Sequence, residues 1–173
     1  MRKLSQRHLT PKKLSKRAKK DGEKLIREMR EAVKKDPKVI EKFKEYGVPL
    51  EDIDKVHIEF CELEVSAKTK DEKIYLNEKM LEDDSKVQDP THYVVHEMMH
   101  YLQQSTGKTL DKSEKKETDY LDLPTEQEAF EVQVEFKERE EGPAEAEKYV
   151  EQLLDHHEID GKEREDKEEE LLG

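Results

Sequence analysis

Apolar positions change their spacing along this chain, and each change marks an element. From about Asp21 to Lys35, Leu25, Ile26, Met29 and Val33 recur at three- and four-residue intervals, which predicts a helix with one apolar stripe. A second, short helix is expected from Pro37, with Asp36 as its cap, Val39, Ile40 and Phe43 as its buried face, and Gly47 and Pro49 ending it. The period then becomes two. Val56, Ile58 and Phe60 alternate with His57, Glu59 and Cys61, and Leu63 and Val65 keep the same parity, so a half-buried strand is predicted. Residues 66–72 read as a polar turn. Ile74–Asn77 reads as a short second strand that pairs with the first as a hairpin.

An acidic loop over 82–90 leads to a strongly patterned helix from about Thr91 to Gln104. A polar loop fills 105–123. The next helix follows Leu123-Pro124, with Thr125 as cap and Glu128 completing a capping box, and runs to about Glu140. Gly142-Pro143 breaks it. The last helix spans about 144–157, with Ala146, Tyr149, Val150, Leu153 and Leu154 on its core face. Beyond Gly161 the pattern is almost all charge. The fold class expected is α+β: a small antiparallel sheet of two to three strands, packed on the 91–104 and 125–140 helices and flanked by N- and C-terminal helices.

Composition narrows this picture. At 173 residues, 45% charged and 32% apolar, the chain can build one modest core. The expected organisation is a basic arm over 1–20, one domain over 21–159 and a charged tail over 160–173. Residues 1–20 hold nine Lys/Arg and no Asp/Glu, against 24 basic and 45 acidic residues in the remainder. Such an arm can bind nucleic acid or another polyanion, fold back on the acidic body, or simply be solvated. No apolar run approaches membrane-spanning length, and no apolar stretch of a signal peptide follows the basic start, so a cytoplasmic protein with no membrane partner is expected. The single cysteine, Cys61, excludes an internal disulfide and reads as a small buried hydrophobe. Abundant Lys, Glu and Arg on a mixed-sign surface is a pattern frequent in thermophile proteins.

The candidate chemistry lies in His96-Glu97-Met98-Met99-His100, a HExxH string. Residues four apart on a helix share a face, so two imidazoles so placed can bind one zinc ion at about 2.0–2.1 Å each. Glu97 leans to the side of that face, where it can take a proton from a water at the metal. In so Glu-rich a chain the string would arise by composition in about one chain in twenty, so its setting has to carry the reading. Val94, Val95, Met98, Met99 and Leu102 give the helix wide apolar flanks. The Ile74–Asn77 strand can lie on a cleft rim and pair with an extended substrate.

A third ligand is expected on the following helix. At about 100° per residue, Ala129, Phe130, Val132, Val134 and Phe136 define an apolar arc with Glu126 near its middle. A carboxylate there is costly unless something pairs with it, and a metal would do so. Glu128 points to the opposite side and reads as a surface or capping residue. His92, four before His96, reads as a solvated or substrate-facing histidine, since two turns separate it from His100. Tyr93, Tyr101, Tyr120 and Tyr149 are candidates to stabilise an oxyanion. His156-His157 suit the C-terminus of the last helix.

A HExxH helix followed by a helix carrying Glu126-Gln127-Glu128-Ala129 resembles the gluzincin metallopeptidases, and the small size and added helices resemble most closely the minigluzincins, which are minimal soluble single-domain members. The resemblance covers about residues 20–157, with its sharp motifs at 96–100 and 126–129. It implies zinc as cofactor, His96, His100 and Glu126 as its ligands, Glu97 as general base and acid, and a peptide or protein as substrate. It also implies that a terminal segment can hold such an enzyme latent, as an intramolecular inhibitor. In gluzincins an acidic residue four after the glutamate ligand often orients the first histidine; here Phe130 stands in that place, so another acceptor must serve. The other reading of the same residues is a zinc-stabilised, catalytically idle binding module whose basic arm engages nucleic acid or an acidic partner.

Overall fold

The computed structural model describes residues 16–81, 90–107, 123–156 and 161–172. Most of the basic arm (1–15), the acidic loop, most of the 105–123 loop with Tyr120, and His157 lie outside the described residues. The chain is α+β. The described residues hold six helices, α1 (Lys16–Lys35), α2 (Pro37–Tyr46), α3 (Thr91–Ser105), α4 (Pro124–Glu141), α5 (Pro143–His156) and α6 (Gly161–Leu172), and three strands, β1 (Ile58–Cys61), β2 (Ala67–Lys70) and β3 (Lys73–Asn77). Short 3₁₀ turns at Leu50–Asp54 and Glu78–Leu81 complete the described elements. None of the described helices is long and apolar enough to cross a membrane.

Local chemistry accounts for the helix ends. The Asp36 carboxylate accepts from the amides of Lys38 and Val39, Pro37 opens α2, and Gly47 closes it in the left-handed region. α1 begins at Lys16, earlier than the apolar stripe indicates. Gly22 sits inside it because Phe60 crosses there: a Cβ at this position would lie 3.2 Å from the Phe60 ring. The capping box foreseen for α4 does not form. Leu123 holds the cap position with no side-chain bond, and Pro124, which needs no amide partner, starts the helix.

The sheet departs from expectation. Its order is β1-β3-β2, with β1 parallel to β3 (Ile58 opposite Ile74) and β2 antiparallel to β3 (Thr69 opposite Ile74). The hairpin partner of Ile74–Asn77 is therefore β2, part of the stretch read as a polar turn, and the sheet is mixed rather than antiparallel. The strand expected to run to Val65 ends at Cys61, leaving Val65 exposed. Asp71 and Glu72 turn the hairpin with φ of 52° and 63°, the positive pair a two-residue loop of right-handed twist requires.

Two apolar clusters share α4 as a wall. Ala129, Val132 and Phe136 face the larger, with Val94, Val95, Met98, Met99 and Leu102 of α3 and the inward residues of β1 and β3. Phe130 and Val134 face the smaller, with Ala146, Val150 and Leu154 of α5 and Leu171 of α6. The apolar arc of α4 thus serves two cores. The expected charged tail is α6 over most of its length, docked by Leu171 and the buried stem of Lys167, while Gln127 donates to Glu170 across the contact.

Candidate metal centre

α3 carries His96 and His100 one turn apart, with ring centroids 5.0 Å from each other. The first turn of α4 brings Glu126 against both. Its Oε1 lies 3.1 Å from His96 Nε2 and 3.1 Å from His100 Nε2. Among the described residues these three form the group that could hold a metal ion, their donor atoms all within 4.8 Å. The fit can be tested by size. A tetrahedral ion with bonds of about 2.0–2.1 Å sets its ligand atoms about 3.3–3.4 Å apart, close to the spacing seen. His92 is not part of the group.

Each imidazole is held from behind by a glutamine. His96 Nδ1 lies 2.9 Å from Gln133 Oε1, and His100 Nδ1 lies 2.8 Å from Gln103 Oε1. An amide oxygen only accepts, so both Nδ1 atoms carry hydrogen and both Nε2 atoms are the ones turned to the ligand position. The place of the acidic residue that Phe130 occupies is thus filled by Gln133, seven positions beyond Glu126 and two turns along the same face. Phe130 instead packs its ring against His96 at 4.5 Å. Sequence reading missed both glutamines. The available signal was a polar residue inside the apolar arc of α4 and another three beyond His100 on the ligand face.

Electrostatics follow the geometry. Burial alone would lower the pKa of His100, but the bond and charge of Glu126, together with Glu97 and Gln103, raise it to about 9. Burial alone would raise that of Glu126; hydrogen bonds from His100 and His96 outweigh it and hold the carboxyl far below the usual range. A buried carboxylate is here neutralised by what surrounds it, the situation a cation at the same point also satisfies.

Glu97 is buried beside the histidines, and its Oε1 accepts from the Thr69 hydroxyl at 2.7 Å. Thr69 belongs to β2, so β2, not Ile74–Asn77, is the strand whose side chain meets Glu97, while Ile74 and Leu76 pack their apolar side chains against the same helix. With β1 and β2 on its two sides, β3 has no open edge. Since Asn77 bonds to Ser66, alternation turns the peptide groups of Ala67 and Thr69 away from β3, and the Thr69 carbonyl accepts from Gln104 at 3.3 Å.

The remaining candidates separate by position. His92 is buried rather than solvated. Its Nδ1 accepts from Gln133 Nε2 at 2.7 Å, its ring lies against Tyr93 and Tyr149, and burial together with the Lys137 and His96 charges lowers its pKa to about 3. Tyr101 donates to Asp52 at 3.2 Å. Tyr93 and Tyr149 line a cleft of about 510 Å³ with His92, Asn77 and Lys137. The triad itself does not line this cleft. It lies one layer away, through Gln133, to which both His92 and Tyr149 are hydrogen bonded. Cys61 is a half-buried thiol whose pKa is pushed up by burial and by Glu59, the opposite of an activated nucleophile. Glu128 is not a surface or capping residue: its side chain is half-buried and takes hydrogen bonds from Tyr46, Lys42 and Gln103.

No family model, curated protein or solved structure matches the chain.

Proposed function

We propose that this protein is a zinc-dependent peptidase of the gluzincin kind, with His96, His100 and Glu126 holding the ion and Glu97 as general base and acid. The observation that carries the reading is the meeting of two Nε2 atoms and one carboxylate oxygen at a common point, each 3.1 Å pair bridging α3 and α4, beside a second buried carboxylate free of that point. Zinc held there supplies a Lewis acid that polarises a carbonyl and acidifies water. Glu97 takes a proton from water at its carboxylate and returns it to the leaving nitrogen. Thr69 holds Glu97 in the orientation this needs. An extended peptide adds to the outward peptide groups of Ala67 and Thr69 on β2, which lays its backbone beside Glu97. Lys68 and Lys70 guard that edge against unspecific pairing.

Zinc-loaded protein is expected to cleave within a mixed peptide panel, and Glu97→Gln to lower kcat by about 10²–10⁴ at unchanged zinc content. A wild type that takes up zinc yet cleaves nothing, with or without residues 1–15, contradicts the peptidase reading and leaves a metal-stabilised binding module.

A further inference from the structure

Gln103 can serve His100 only in one of its two amide orientations. The oxygen must face Nδ1; the flipped side chain would set an NH₂ donor against the ring N–H and turn the ring. What surrounds the other end of the amide decides between them. Gln103 Nε2 lies 2.9 Å from Glu128 Oε1 and 3.0 Å from the Thr125 carbonyl. Both are acceptors without hydrogen, so a flipped amide would place its oxygen against two oxygens. Gln103 is almost fully buried, so water cannot relieve that clash. The Glu128 carboxylate is in turn fixed from α2, where Tyr46 donates to Oε1 and Lys42 lies 2.9 Å from Oε2. A chain of hydrogen bonds therefore runs from α2 through Glu128 and Gln103 to a metal-facing histidine.

We propose that Glu128 is a positioning residue for the metal centre: by fixing the Gln103 amide it holds His100 in the tautomer whose Nε2 faces the ion. The proposal rests on the zinc reading above. It predicts that Glu128 acts on metal affinity although it is no ligand, and that a neutral side chain able to accept serves nearly as well as the carboxylate.

The test is zinc affinity by competition with a chromophoric chelator, on wild type, Glu128→Ala, Glu128→Met and Glu128→Gln, with folding of each checked by circular dichroism. Glu128→Ala and Glu128→Met remove the acceptor, the second while filling its volume, and are expected to weaken zinc about 10-fold. Glu128→Gln, whose amide oxygen can accept from Gln103, is expected to stay within about threefold. Tyr46→Phe, which removes a tie to α2 but leaves the acceptor, is expected to bind as wild type does. In long-range ¹H–¹⁵N spectra of the zinc-loaded protein, the His100 Nδ1–H signal is expected to be protected in wild type and Glu128→Gln and to exchange rapidly in Glu128→Met. Wild-type affinity in folded Glu128→Ala or Glu128→Met overturns the proposal, as does an equal loss in Tyr46→Phe, which would make the effect one of helix packing. Absence of zinc binding in the wild type overturns the zinc reading itself along with this inference, an outcome separate from the others.

Discussion

Gln133 joins two buried histidines, His96 and His92. Its oxygen receives the His96 Nδ1–H, and its NH₂ is committed to His92, so its orientation is fixed from both ends. Gln133→Leu keeps the volume and removes the acceptor; zinc affinity should fall about 10–100-fold, measured by chelator competition, and an unchanged affinity would show that His96 needs no such partner. At this scale the sequence made the His96, Glu97 and His100 triplet legible because helix geometry alone places those three. Glu126 was legible because a carboxylate inside an apolar arc needs a reason. Gln133 and Gln103 were not, since a buried amide accepts from a histidine without the charge that marks an acidic partner in the sequence. Glu128 was misread because the capping box gave it a local role. Its actual partners, Lys42 and Tyr46, come from α2, 86 and 82 residues away in sequence.

Among the elements, α2 to α5 were legible nearly to the residue, while the start of α1, the whole of α6 and the sheet were not. An apolar stripe at helical spacing extends over many residues, and caps such as Asp36 and Gly47 sharpen its ends. β2 shows no such pattern. Its outward residues are Lys68 and Lys70, and its inward ones, Ala67 and Thr69, are small or polar because they meet α3 closely. Only its pairing with β3 makes it a strand. The turn that allows this pairing holds Glu72 at a φ of 63°, where a side chain is strained. Glu72→Gly should therefore stabilise the protein by about 0.5–1 kcal/mol, read from chemical denaturation; a loss of stability would mean that contacts of the Glu72 side chain outweigh the strain. α6 was hidden differently. Its docking stripe is built from Leu171 and the stem of Lys167, so charge dominates the sequence there while the buried face is carried by few atoms.

For the molecule as a whole, α4 is the shared wall: one side faces the larger core with α3, the other the smaller core with α5 and α6, and its first turn carries Glu126. Arg139 reaches from its far end to the buried Asp36 carboxylate at 2.7 Å, and Glu128 near its start bonds to Lys42 and Tyr46, so α2 braces both ends. Loss of the second core should loosen α4 and with it the site. Leu171→Ala is expected to cost about 2 kcal/mol and to lower Tm by about 5 °C in a thermal melt; an unchanged Tm would show that α6 contributes nothing to the fold. An ion that joins α3 to α4 should act in the opposite direction. Zinc at 100 times its Kd should add about 2.7 kcal/mol. The central claim is that His96, His100 and Glu126 form one zinc site, and it is met most directly by titrating zinc into metal-free wild type and Glu126→Ala by calorimetry. One equivalent bound by the wild type, with affinity at least 100-fold weaker in the variant, is the result predicted. No stoichiometric binding, or equal binding by both proteins, would contradict it.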